Sequence, residues 1–176
     1  MDEHPDTIGM VQLDDYFKPG KDVPVVSGYQ CWDHPDSLYI DKLVSDLTCL
    51  KRGESVVINT KNERLNPEYV RTDKRVPVRF DPKPVMLVEG FLVLWDERVR
   101  VLLDDSIFLD VAHDIRYSRR VHFKDNGYEK NVLLPLQKQY LEPTKEFAKH
   151  VIDVSALNTD EVFGLVDAVV RPYLTI

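Results

Sequence analysis

The sequence predicts an α/β domain: a parallel sheet with helices on both faces and a small β-hairpin insertion. Three observations carry that expectation. Strand-length apolar runs alternate with helix-length patterns along the chain. Several runs, "PVMLVEG" above all, are apolar throughout, as strands buried on both faces are. And 176 residues, 43% hydrophobic and 30% charged, suit one globular domain, read here as 1–176, with a sizeable core.

Taken in order, residues 8–12 form a short buried strand, and 14–33, rich in Asp, Gly, Pro and Val, a loop. In "HPDSLYIDKLVSDLTCLKRG" Pro35 suits the first turn of a helix. Ile40, Leu43, Val44, Leu47 and Leu50 share one face of it. Lys51 and Arg52 favour its carboxyl end and Gly53 stops it. "SVVIN" (55–59) and "RVPVRF" (75–80) are two strands of a hairpin, making 53–82 an insertion. The strand 84–90 ends in Glu89-Gly90, "DERVRVLLDD" continues as a helix, 106–111 is a strand and 113–124 a helix. "DNGYEKN" is a loop, 132–149 a helix interrupted by Pro135 and Pro143, 150–154 the last strand and "DEVFGLVDAVVRPYL" the last helix.

Acidic residues outnumber basic ones 30 to 23, giving a net charge of −7, which weighs against a general nucleic-acid or membrane-surface binder. The start, "MDEHPDT", has no apolar core of a signal peptide, and no apolar run approaches the ~20 residues that span a bilayer. Cys31 and Cys49 fit neither a metal cluster nor a disulfide framework. A cytoplasmic protein with no nucleic-acid or membrane partner is expected, self-association being left open.

In open parallel sheets ligands bind beyond the carboxyl ends of the strands. Asp14, Asp15 and Glu89 all stand there. As turn formers they would bond their own backbone; as functional groups they would accept a hydroxyl proton or hold a hard cation. Gly90, directly after Glu89, permits a close approach to the backbone. In "WDHPDS", Asp33 or Asp36 would cap a helix and Trp32 pack in the core. Alternatively, an aromatic and an acid together suit a sugar, one stacking and the other accepting hydroxyl hydrogens. "RYSRR" places Arg116, Arg119 and Arg120 on one helix, as solvated surface or as a clamp on phosphate oxygens. The segment 122–131 after it reads as a lid.

With "LDDYFKP", "WDHPDSLYIDKL", "VMLVEGFLVLWDERVR", "IFLDVAHDIRYSRRV" and "LEPTKEFAKHVIDV" in this order, the chain resembles the uridine kinase family from about Ile8 to Val154. These are P-loop kinases, related to phosphoribulokinase, pantothenate kinase and nicotinamide riboside kinase. The resemblance implies a P-loop-kinase-like fold and ATP- and Mg2+-dependent phosphorylation of a nucleoside, uridine- or cytidine-like, or a related small alcohol. It makes Asp14 the general base and, with Glu89, a neighbour of the metal. Phe17, Trp32 and Asp33 would then bind the nucleoside, with Asp33 on the ribose. Arg120 would approach the phosphates, with Lys124 standing in for an arginine of the family's lid, while Arg116 and Arg119 stay phosphate-binding candidates on the reading of "RYSRR" alone.

Two departures bear on this. The tyrosine and histidine with which the family reads the base have no equivalents in "INTKNERLNPEY", so base specificity is not carried over. And no G-x-x-x-x-G-K-[ST] occurs in the chain; the lone Gly20-Lys21 lacks its spacing. The chain is therefore expected to lack the family's N-terminal strand–loop–helix, whose strand lies inside the sheet. The alternative expectation is a catalytically inactive module that binds a small molecule or a protein.

Overall fold

The computed structural model describes residues 6–119 and 127–174, the side chain of Tyr117 excepted. Strand β1 (Ile8–Gln12) lies parallel to β6 (Val85–Glu89), with Ile8 opposite Val85 and Gln12 opposite Glu89. A second parallel pair joins β7 (Ile107–Asp110) to β8 (His150–Asp153). The α/β class and the parallel pairing are as the sequence predicts. One continuous sheet is not: among the described residues the two pairs share no ladder. Parallel strands need long crossovers, which do not oblige consecutive strands to be neighbours. Both pairs nonetheless face one core, since Met86, Val88 and Phe108 pack against the same apolar cluster. The strands are also less buried than apolar runs suggest: along β6 the residues Val85 to Val88 are half-buried.

The main core gathers Val11, Leu13 and Tyr16 with Leu43, Leu47 and Leu50 of helix α1 (Ile40–Lys51) and with Leu92, Val93 and Val99. The predicted apolar face of α1 is the buried one, and Gly53 (φ +81°) ends it as expected. Asp46 interrupts that face but accepts the Tyr16 hydroxyl at 2.9 Å and pairs with Lys42, so its charge is compensated.

The start of α1 differs from expectation. Pro35 belongs to a separate 3-10 turn (Pro35–Ser37), and the helix begins only at Ile40. The backbone between is used elsewhere: Lys18 N donates to Ser37 O and Tyr39 N to Tyr16 O, both at 2.8 Å. These bonds strap segment 34–39 to the loop after β1, and that competes with continuing the helix. The loop 14–33 also contains a small hairpin, β2 (Val25–Val26) and β3 (Tyr29–Gln30), turned by Ser27 and Gly28 with positive φ.

The insertion is the predicted hairpin, β4 (Val56–Thr60) antiparallel to β5 (Val76–Phe80). Val56, Ile58 and Thr60 point inward, and one helical turn, α2 (Tyr69–Thr72), lies in the connection. The helix expected at 96–105 is a single turn, α3 (Glu97–Arg100). Its next bonds, Leu102 N to Val99 O and Leu103 N to Arg100 O, tighten into turns. Helix α4 (His113–Ser118) is the described part of the 113–124 helix.

The loop expected to run to 131 turns helical by Tyr128. It runs as π-turns Glu129–Leu133 and Gln137–Leu141 around α5 (Leu134–Leu136), then as a 3-10 stretch Glu142–Phe147. Pro135 has no N–H to give, and widened turns accommodate it without a break. The chain closes with α6 (Thr159–Val170), held by a capping box between Asn158 and Glu161. No helix among the described residues is long and apolar enough to cross a membrane.

Candidate active site at the strand ends

The two aspartates after β1 have different fates. They sit in a 3-10 turn, Leu13–Tyr16. Asp15 is buried; it accepts the Thr60 hydroxyl at 2.7 Å and the Lys61 backbone N–H at 2.8 Å. It is a structural carboxylate. Asp14 is half-exposed, and its Oδ2 lies 2.8 Å from Lys61 Nζ.

Glu89 ends β6 opposite Gln12, so the parallel register brings it beside Asp14. Its carboxyl is pushed above the usual glutamate range, first by partial desolvation and then by the negative charge of Asp14; the Gln12 side chain opposes this. Two carboxylates therefore confront each other at the carboxyl end of a parallel pair. Gly90 is explained differently from the sequence reading. The group that approaches its backbone is Leu13, whose Cβ would stand 2.2 Å from a Cβ at position 90. The glycine serves packing behind Asp14, not access by a ligand.

The turn bearing Asp14 is tied down by Arg75, whose guanidinium donates to the carbonyls of Asp14, Asp15 and Phe17 at 3.0, 2.7 and 3.1 Å. The Phe17 ring stacks beside Phe91, with centroids 6.3 Å apart.

Trp32 and Asp33 lie on the strap that runs into 34–39. Trp32 is exposed, whereas Asp33 accepts a 2.5 Å hydrogen bond from the Tyr128 hydroxyl. Burial and then Asp33 push that hydroxyl far above the usual tyrosine range. Tyr128 also meets Tyr29 edge to face, and Cys31, Val132 and Leu136 form a small second core beneath them. Neither Asp33 nor Asp36 provides the cap expected there: His34 Nδ1 accepts the Asp36 N–H, while its Nε2 lies 3.1 Å from the Tyr140 hydroxyl.

Among the arginines, Arg119 donates to the Val154 and Ser155 carbonyls at 3.3 and 3.4 Å, tying α4 to the end of β8. Arg116 is half-buried on the same helix. Arg120, Lys124 and residues 122–126 of the segment read as a lid lie outside the described residues. The structure thus joins Asp14 to Glu89 and straps the Asp33 segment to the Asp14 loop.

Sequence reasoning missed Lys61, Arg75, Tyr128 and Tyr140. One signal was available: Thr60 is an inward polar residue at a strand end, and a buried hydroxyl requires a partner.

As a metal site, the carboxylate pair suits magnesium, a hard cation often bound by one or two carboxylates together with water and phosphate oxygens. Mutual repulsion of Asp14 and Glu89 is what a cation between them would relieve. Among the described residues no group of three or more His, Cys, Asp or Glu is arranged to hold a metal.

Fold and site together define a class: α/β proteins that present acids at the ends of parallel strands. The particular family follows from comparison. The family model described as "Phosphoribulokinase / Uridine kinase family" matches residues 27–169, and the chain belongs to that family. It is 34% identical over 154 residues to the uridine kinase of Leuconostoc citreum, covering 81% of this chain and 71% of that protein. To the uridine kinase of Clostridium perfringens it is 30% identical over 180 residues, covering 90% and 84%. A solved structure of a possible uridine kinase from Bacillus stearothermophilus superposes with a TM-score of 0.60 at 14% identity, covering 86% of this chain and 75% of that one, a likeness of fold.

Proposed function

We propose that this chain serves the phosphorylation of a hydroxyl on a nucleoside, uridine- or cytidine-like, or on a related small alcohol, with ATP as donor. The observation that carries this reading is the placement of Asp14, in the turn after β1, and Glu89, the last residue of β6, at the same carboxyl end of a parallel pair. In a family whose relatives are named uridine kinases, a half-exposed carboxylate at a strand end is suited to take the proton from an attacking hydroxyl.

Asp14 is the general base, and Asp14 with Glu89 would hold the magnesium ion, which when bound neutralises charge on the phosphate oxygens. Asp33 accepts the ribose hydroxyls, and Trp32 and Phe17 offer aromatic faces to the nucleoside. For the phosphates the chain offers Arg116 on α4; Arg119 is already engaged with backbone carbonyls. The described residues do not make a triphosphate cradle, so what they account for is the acceptor side of the reaction. An inactive binding module finds no support among the relatives.

The test is transfer of labelled phosphate from ATP-magnesium to uridine, cytidine and other ribosides. Asp14→Asn is expected to lower kcat by about 100-fold or more, the usual worth of a positioned base, with the melting temperature little changed. Undiminished turnover in that variant overturns the role of Asp14. Absence of transfer together with absence of calorimetric binding of every riboside overturns the function.

A further inference from the structure

We propose that Arg75 is a positioning residue for the reacting carboxylate, making the β4–β5 hairpin a clamp on the loop that carries Asp14. The inference rests on the reading of Asp14 as general base, but its observations are separate. The Leu13–Tyr16 turn is too short to satisfy its own carbonyls, and the chain leaves it extended at Phe17. One guanidinium meets three of them: Nη1 serves Asp15 O and Phe17 O, and Nη2 serves Asp14 O. The carbonyl of Asp14 and the one after it, of Asp15, cannot swing without breaking a charge-assisted bond.

Arg75 is itself held in place. It directly precedes Val76, whose register partner is Thr60. Between these two positions, the buried Asn66 donates to Thr60 O at 3.0 Å and to Lys74 O at 2.9 Å, closing the base of the connecting loop. From the other side of the hairpin, Thr60 and the Lys61 N–H grip the Asp15 carboxylate, and Lys61 Nζ meets Asp14. Asp14 is therefore fixed in backbone by Arg75, in its neighbour by Thr60 and in its side chain by Lys61. A planar fork with several fixed donors is needed to reach three carbonyls at once, and lysine, a single point donor, does not reproduce it. A misplacement of about 1 Å at a reacting group can cost on the order of 100-fold in rate.

The test compares the full chain with Arg75→Lys, Arg75→Met and, as control, Arg79→Met. Arg79 is on the same hairpin but is exposed and pairs with Asp81 and Ser55. Two readouts are used. In the first, kcat of Arg75→Lys is expected to fall about 10- to 100-fold with KM for the acceptor within about threefold, since geometry rather than binding is lost; Arg79→Met stays at the parental value. In the second, amide exchange at Lys18 and Tyr39, which bond Ser37 and Tyr16, is expected to quicken at least about tenfold as the loop opens locally. The α1 amides at Leu47 and Leu50 are expected to keep their rates. Unchanged exchange at Lys18 and Tyr39, or quickened exchange with unchanged kcat, overturns the proposal. Loss of protection throughout α1 in Arg75→Met marks unfolding, and Arg75→Lys then decides. If the parent transfers no phosphate to any acceptor, the exchange arm alone decides whether Arg75 holds the turn, and the functional reading fails if the parent also binds no riboside.

Discussion

Asp14, two residues past the end of β1, stands near Glu89 at the end of β6, and its charge helps to hold a proton on Glu89. The proton is bound more tightly in the folded chain than in the unfolded one. Between the ordinary glutamate value and the raised one, the native state therefore carries more protons, and stability falls as pH rises through that window. Glu89→Gln is expected to flatten this fall and to raise the melting temperature at neutral pH. Asp14→Asn is expected to return the Glu89 titration, followed by carboxyl NMR, toward the ordinary range. An unmoved Glu89 titration in Asp14→Asn would show that the two carboxylates do not interact.

Gly90 has φ of +151° and leaves no room for a Cβ against Leu13. Gly90→Ala is expected to destabilise the chain by about 2 kcal/mol or more through overpacking and backbone strain. Adding Leu13→Ala is expected to recover part of that loss. A denaturation midpoint in Gly90→Ala equal to the parent's would contradict this packing.

The Tyr128 hydroxyl occupies the Asp33 carboxylate that the functional reading assigns to a ribose. Tyr128→Phe removes that competing donor. Uridine is expected to bind about fivefold more tightly, the equivalent of a hydrogen bond worth about 1 kcal/mol. Calorimetry giving an equal or weaker affinity would sink the assignment of Asp33.

Among the described residues β6 has β1, and β7 has β8, as its strand partner. A strand paired on one side leaves N–H and C=O groups along the other, each costing about 1–3 kcal/mol if buried and unsatisfied. Stability of the 176 residues is therefore expected to be marginal or to depend on pairing with another chain. Cooperative melting as a monomer, with slow exchange at every β6 and β7 amide, would refute this.

Acceptor choice is the remaining expectation. The stretch "INTKNERLNPEY", where the resemblance would place base reading, here supplies Lys61 to the carboxylate loop, and Asn66 closes the loop that leads to Arg75. Discrimination for uridine over purine and nicotinamide ribosides is expected to be weaker than is typical of the family, because this chain has no equivalents of the tyrosine and histidine that the resemblance would assign to the base, and sites built on such hydrogen bonds discriminate strongly. Equal kcat/KM ratios in this chain and a typical family member would count against it.

What the sequence by itself determined is what periodicity and strand-end chemistry encode. β1, the β4–β5 hairpin, β6 and the buried face of α1 were legible because apolar spacing reports burial directly. The candidate acids were legible because parallel strands deliver their ligands at carboxyl ends. Only the tertiary structure separated Asp15, locked by Thr60, from Asp14, left half-exposed. It also turned Gly90 from a point of access into a packing contact and ended the "HPDS" turn before α1. Most of all, it brought Arg75 to Asp14 across 61 positions of sequence. Each of these depends on a hydrogen bond or contact between distant segments, and a linear pattern carries no record of which distant partner a donor will meet.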